Sequence, residues 1–94
     1  MITKEDRARQ IQESIRGILL HDWDPIGVQQ VPEAQDEYDS YVGGVYRLLA
    51  SGSSAQEIAD HLWRIENETM GLPVLDRAKL IPVAEKLHRL DVKL

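Results

Sequence analysis

Apolar residues recur at steps of three and four along nearly the whole chain, the spacing that places them on one face of a helix. The pattern predicts four helices, from about Lys4 to Leu20, from about Asp36 to Ala50, from a cap at Ser54 to Gly71, and from about Asp76 to Leu90. No segment alternates between apolar and polar residues over the length of a strand. We therefore expect an all-α fold, a compact four-helix bundle in which residues 1–94 form a single domain.

Local signals at the predicted helix ends agree with this pattern. Thr3 with Asp6, and Ser54 with Glu57, have the spacing of a capping box, in which two side chains bond the free backbone amides of a helix start. Gly52 is suited to end the second helix, because a glycine adopts the left-handed backbone that often follows a helix.

Two interruptions fall inside predicted helices. Gly43 and Gly44 lie in the middle of the second helix, where their low helix propensity is costly, so we expect another backbone segment to approach closely there. Pro82 lies about one and a half turns into the fourth helix. It should kink this helix or split it into a short turn and a longer piece.

A long acidic loop is expected between the first two helices, from His21 to about Gln35. Unstructured connections of this length are unusual in small domains and are often functional. The chain has 16 acids and 11 bases, and six of the acids, with no Lys or Arg, fall between Asp22 and Asp39. The rest of the chain is therefore close to neutral, and the acidic excess is concentrated in one segment.

Composition excludes several classes of function. An acidic chain lacks the Lys and Arg that displace counterions from nucleic-acid phosphates, so no nucleic-acid partner is expected. No apolar run approaches the roughly 20 residues that span a bilayer, so no membrane partner is expected either. Cysteine is absent, and the charged N-terminus lacks the apolar stretch of a secretory signal. A cytosolic protein is the expectation.

The segment from Asp22 to Glu33 has part of the spacing of a calcium-binding EF-hand loop. Asp22 and Asp24 match its first and third positions, Gly27 its sixth and Glu33 its twelfth. However, Ile26 at the fifth position offers no side-chain oxygen, and prolines disturb the segment. The alternative is a rigid turn in which Asp22 or Asp24 caps backbone amides and Trp23 packs on the core. We expect no metal site, and a metal-responsive loop remains a second interpretation.

Signals for catalysis and for DNA binding are weak. The segment from Ser54 to Leu62 is similar to the first helix of a helix-turn-helix, but the helical pattern continues where a turn should follow. His21, His61 and His88 lack a nucleophile or a ligand set at a recognisable spacing. We expect neither an enzyme nor a cofactor.

The acidic segment also contains aromatic residues, a combination typical of a protein-binding patch. Its candidate partner-binding residues are Trp23, Asp24, Asp36, Glu37, Tyr38, Asp39 and Tyr41. In this hypothesis the aromatic residues are contact anchors and the acids steer a basic protein partner. The alternative is a solvated helix start with tyrosines half-buried beneath the loop.

Three blocks of the sequence carry a family resemblance: Trp-Asp-Pro-Ile-Gly-Val from Trp23, Asp-Glu-Tyr-Asp-Ser-Tyr from Asp36, and the stretch from Ile65 to Leu72. With them the chain resembles a family of small, helical bacterial proteins of unknown function. The resemblance covers most of the chain, and the Trp-Asp-Pro block is its most specific part. It implies a bacterial, cytosolic, helical protein and carries over no catalytic residue.

The chain is also similar, more loosely, to the acidic, four-helix immunity proteins that block nuclease bacteriocins. It depends on size, acidity and two tyrosines, here Tyr38 and Tyr41, in an acidic helical patch. Segment order and spacing differ, so it is an analogy only. It implies a basic toxin domain as the partner. The function expected from the sequence is thus a small acidic protein-binding module, in its most concrete form an immunity or antitoxin-like inhibitor.

Two other functions remain open at this stage. One is a metal- or ligand-responsive domain built on the Asp22–Glu33 loop. The other is a homodimeric structural protein, in which a second copy covers Tyr46, Trp63 or the face of Gly43 and Gly44.

Overall fold

A computed structural model of the protein describes residues 2–25, 27–28, 30–34, 36–71 and 77–93. Within these ranges the chain forms four α-helices and no strand: α1 (Lys4–Ile18), α2 (Asp39–Ala50), α3 (Ala55–Arg64) and α4 (Ile81–His88). The all-α, four-helix fold predicted from the hydrophobic pattern is confirmed.

Two of the helices continue into a π-helical turn. The first π turn, Leu19–Trp23, follows α1, and the second π turn, Ile65–Thr69, follows α3. Asp24 closes the first one in the left-handed conformation, with φ at 33°. Because π-helical turns are rare and are found disproportionately at functional sites, both helix ends are candidate functional positions.

The predicted helix caps are present. Thr3 with Asp6, and Ser54 with Glu57, form complete capping boxes at the starts of α1 and α3. Gly52, with φ at 77°, follows α2 as predicted. The Ser53 amide then donates to the Leu48 carbonyl at 3.0 Å, which satisfies one of the free carbonyls of the helix end.

The connection between α1 and α2 differs from the long acidic loop that was expected. Helical structure continues to Trp23, because the buried Trp23 extends the apolar face of α1. From Val28 onward the described residues form consecutive turns, including a short 3-10 helix at Pro32–Ala34. α2 accordingly begins at Asp39 rather than at Asp36, after a turn in which the Asp39 amide donates to the Asp36 carbonyl.

Pro82 splits the last helical segment, as predicted. A 3-10 helix, Arg77–Leu80, precedes α4, and Pro82 lies in the first turn of α4, where its missing N–H is least costly. The predicted start at Asp76 lies outside the described residues.

α1 packs on both α2 and α4, and α3 packs mainly on α4. Two ion pairs join the two ends of the chain. Arg7 of α1 pairs with Asp91, beyond the end of α4, at 3.6 Å, and Asp22 of the first π turn pairs with Lys86 of α4 at 3.1 Å. The start of α1 therefore lies near the end of α4, and the two helices run antiparallel. No helix among the described residues is long and apolar enough to cross a membrane.

The core is formed by the inward faces that the hydrophobic pattern predicted. Its largest fully buried aliphatic side chains are Ile11, Ile15, Leu19, Val45, Ile58, Leu62 and Leu87. Thr69 continues the helical spacing of Leu62 and Ile65 but is exposed. The second π turn explains this, because a π-helical turn takes up an additional residue and shifts the side chains that follow it.

The prediction that another backbone segment closely approaches the two central glycines of α2 is partly wrong. A Cβ atom on Gly44 would lie 3.3 Å from Nε2 of His61, so a side chain of α3 approaches there rather than a backbone segment. A Cβ atom on Gly43 would have no neighbour within 4 Å.

Candidate functional site

Three aromatic rings form a cluster, here called the aromatic platform, between the end of α1 and the start of α2. The ring centroids of Trp23 and Tyr38 are 5.3 Å apart, and those of Trp23 and Tyr41 are 6.0 Å apart in an edge-to-face arrangement. Trp23 is 8% exposed and Tyr38 only 1%. Two of the three aromatic anchors expected from the sequence are therefore core residues, and only Tyr41, which is half-buried, reaches the surface.

Asp24 points inward and fixes the backbone beside the aromatic platform. One of its carboxylate oxygens, Oδ1, accepts hydrogen bonds from the Val28 amide at 2.7 Å and from the Tyr38 hydroxyl at 2.8 Å. This geometry matches the rigid turn considered from the sequence, in which an aspartate caps a backbone amide and Trp23 packs on the core. Asp24 thus has a structural role and is not free to meet a partner in this conformation.

Two further acids of the segment form ion pairs with other helices. Asp22 pairs with Lys86 of α4 at 3.1 Å, and Asp39 pairs with Arg16 of α1 at 2.7 Å. The Asp39 carboxylate raises the pKa of Arg16, first through the hydrogen bond and then through its charge. Both aspartates are therefore at least partly neutralised within the molecule.

The other three acids of the segment are exposed. Glu33 lies in the 3-10 helix, and Asp36 and Glu37 lie in the turn before α2. We call these three residues the acidic turn. Its backbone is ordered by short-range bonds, such as that from the Glu37 amide to the Ala34 carbonyl at 3.2 Å.

The arrangement of the acids does not resemble a calcium loop. Asp22 turns toward Lys86, whereas Asp24 turns toward Val28 and Tyr38. In the described part of the chain, no three His, Asp or Glu side chains come together as a metal site requires. Ile26, the weak fifth position of that motif, lies outside the described residues.

Sequence reasoning missed Glu66, which is 7% exposed and lies in the second π turn. Burial raises its pKa above the usual 4.5, and the nearby Trp23 indole acts in the opposite direction with a smaller effect. The signal was present in the sequence, since Glu66 follows Ile58 and Leu62 at steps of four and so falls on the apolar face.

A groove of about 540 Å³ lies beside the start of α3, bordered by Ala78 and Ile81. Its acids already have structural roles: Glu57 completes the capping box, and Asp60 pairs with Arg64 at 3.2 Å. The described residues also present the exposed acidic turn, which lies close in sequence to the aromatic platform. No family model, no characterised protein and no solved structure matches the chain.

Proposed function

We propose that this protein is a small acidic protein-binding module whose acidic turn meets a basic surface on a partner protein. The observation that supports this most is the difference in exposure among the acidic and aromatic residues between Trp23 and Tyr38. Glu33, Asp36 and Glu37 are exposed, whereas Trp23 and Tyr38, which precede and follow them along the chain, are buried.

A fixed backbone makes the exposed charges more effective in binding. Because Asp24 holds both Val28 and Tyr38, the partner does not have to order this segment when it binds. Complementary charge then increases the rate of encounter and disfavours acidic partners.

The residues proposed from the sequence take different roles in this form of the hypothesis. Asp36 and Glu37 contact the partner, and the half-buried Tyr41 supplies apolar contact area at the edge. Trp23, Asp24 and Tyr38 support that surface from within. Asp39 contributes less charge, because Arg16 neutralises part of it.

In its most concrete form, the module is an inhibitor of the immunity or antitoxin type, which covers a basic toxin domain. The net charge of −5 and the single exposed acidic turn among the described residues support an electrostatically steered inhibitor.

The test compares two variants that each lose two negative charges. One carries Asp36→Asn and Glu37→Gln in the acidic turn, and the other carries Glu5→Gln and Glu85→Gln on exposed faces of α1 and α4. The tagged proteins capture partners from lysate of the source organism at low and at high salt. Any captured protein is then purified and its affinity for each variant is measured by titration calorimetry.

We expect a basic partner that binds the wild-type protein more weakly at high salt. It should bind the acidic-turn variant about two- to thirtyfold more weakly, as for the loss of two exposed charge pairs. The Glu5 and Glu85 variant should bind like the wild type. Equal losses in both variants would show that only net charge matters, and an unaffected acidic-turn variant would remove this surface from the proposal.

A further inference from the structure

The residues that follow α4 lie against the first turns of α1. The backbone hydrogen bonds of the helix end with the Leu90 amide, which donates to the Leu87 carbonyl at 3.0 Å. The next three residues, Asp91, Val92 and Lys93, are here called the strap. Between described residues, no backbone hydrogen bond joins the strap to a helix. The strap is therefore held in place by side chains.

One side chain of α1, that of Arg7, supplies the polar part of this hold. Its Nη2 atom donates to the Asp91 carbonyl at 2.8 Å, and its Nε atom donates to the Lys93 carbonyl at 3.1 Å. The guanidinium thus bridges two carbonyls of the strap. Arginine is suited to this role, because its planar group presents several donors in a fixed fork, whereas the ammonium of lysine is a point charge.

The charge of Arg7 contributes less to the hold than the shape of its guanidinium. Nη2 lies 3.6 Å from Oδ2 of Asp91, but the Asp91 side chain is 70% exposed. Ion pairs in such exposed positions contribute little to stability. The other carboxylate oxygen, Oδ1, accepts from the Lys93 amide at 3.0 Å, a bond that lies within the strap itself.

The apolar part of the hold is a single side chain. Val92 is half-buried and packs against the core, whereas Asp91 and Lys93 on either side of it are exposed. Exposing one half-buried valine costs far less than exposing the core of the bundle, because the hydrophobic contribution scales with the apolar area buried. Segments with few buried contacts are the ones that open locally while the rest of a protein stays folded.

We propose that the strap opens while the four helices remain folded, and that the guanidinium of Arg7 sets how often it opens. In the open state the two carbonyls exchange Arg7 for water, and the apolar surface beneath Val92 becomes accessible. The strap lies against the start of α1, whereas the acidic turn follows the end of that helix. This inference therefore does not depend on the function proposed above.

The first experiment follows hydrogen exchange in the full-length wild-type protein by NMR, at increasing urea concentrations below the unfolding transition. The Lys93 amide reports on the strap, and the amide of the buried Leu87 reports on α4. Local opening exposes little surface and responds weakly to urea, whereas global unfolding becomes more favourable in proportion to the urea concentration. We expect Lys93 to exchange faster than Leu87 and almost independently of urea. A parallel dependence on urea for the two amides would overturn the separate opening.

The second experiment separates the shape of the Arg7 side chain from its charge. Arg7→Lys keeps the charge but loses the fork, so exchange at Lys93 should become at least about tenfold faster, with Leu87 unchanged. Asp91→Asn removes the charge of the pair but keeps an oxygen that accepts from the Lys93 amide. It should accelerate exchange by less than about fivefold. Arg9→Lys, a matched change at an exposed position of α1, should have no effect.

Three outcomes of the second experiment would overturn the role of Arg7. An equal acceleration by Asp91→Asn and Arg7→Lys would assign the hold to the ion pair. Faster exchange at both Lys93 and Leu87 in Arg7→Lys would mean that Arg7 stabilises the whole bundle. Unchanged exchange in Arg7→Lys would leave the packing of Val92 as the only hold on the strap.

Discussion

At the scale of single residues, the same composition allows opposite roles for the same side chain. Trp23 and Tyr38 stand among acids, and from the sequence they read equally well as surface anchors or as core residues. The structure buries both, because the hydroxyl of Tyr38 finds an acceptor in Asp24 and its ring packs on Trp23. The role is decided by contacts between residues that are 14 or 15 positions apart in the sequence. The local spacing of apolar and polar residues does not predict such contacts.

Tyr38→Phe tests the inward role of Asp24. The variant keeps the ring but loses the hydrogen bond to a carboxylate, so we expect the free energy of unfolding to fall by about 1 to 2 kcal/mol. Urea denaturation followed by circular dichroism measures this. Tyr46→Phe is the matched control, since Tyr46 is half-buried and forms no hydrogen bond with a described residue; a comparable loss there would show that the Asp24 bond is not the cause.

At the scale of helices, the two glycines of α2 offer a comparison within one element. Gly43→Ala should raise the free energy of unfolding by up to about 1 kcal/mol, because alanine has the higher helix propensity and a Cβ atom there meets nothing within 4 Å. Gly44→Ala should gain less or lose stability, because His61 must shift from a 3.3 Å contact. Thermal or urea unfolding measures both variants. Equal gains in the free energy of unfolding would mean that the His61 ring moves away from position 44 at no cost.

The starts of α1 and α3 were easier to predict from the sequence than their ends. Capping boxes at Thr3 and Ser54 involve residues three apart, so the sequence contains the whole interaction. The ends of α1 and α3 are π turns, which are stabilised by the burial of Trp23 and Ile65 against other elements. Glu66 was missed for a different reason: its spacing from Ile58 and Leu62 places it on the apolar face, but glutamate is rarely buried, so the sequence alone favours an exposed side chain.

At the scale of the whole molecule, the acidic segment is less charged than its composition indicates. Asp22 and Asp39 are paired with Lys86 and Arg16, which lie on different helices and 64 and 23 residues away along the chain. These pairs tie the connection to α4 and α1 while leaving Glu33, Asp36 and Glu37 exposed. The sequence located the acidic excess correctly, and only the fold separates the acids that hold the structure from those that can meet a partner.

The stability of the whole bundle should also depend on pH through His61, a residue of α3 whose ring lies against Gly44 of α2. Burial, and to a smaller degree the charge of Arg64, lower its pKa below the usual 6.5. Between the folded and unfolded pKa values the unfolded state binds more protons, so this contribution to stability is complete above pH 6.5 and is lost as the pH falls toward the folded pKa.

His61→Gln removes this titration, so the wild type should lose stability relative to the variant as the pH is lowered from about 8 to about 5 in urea titrations. Arg64→Gln should weaken the pH dependence without abolishing it, because burial is the larger cause and remains. A difference that stays constant over this range would mean that the imidazole is hydrated in the folded protein. The α2–α3 contact at Gly44 would then be looser than its 3.3 Å distance indicates, and the gain expected from Gly44→Ala would approach that from Gly43→Ala.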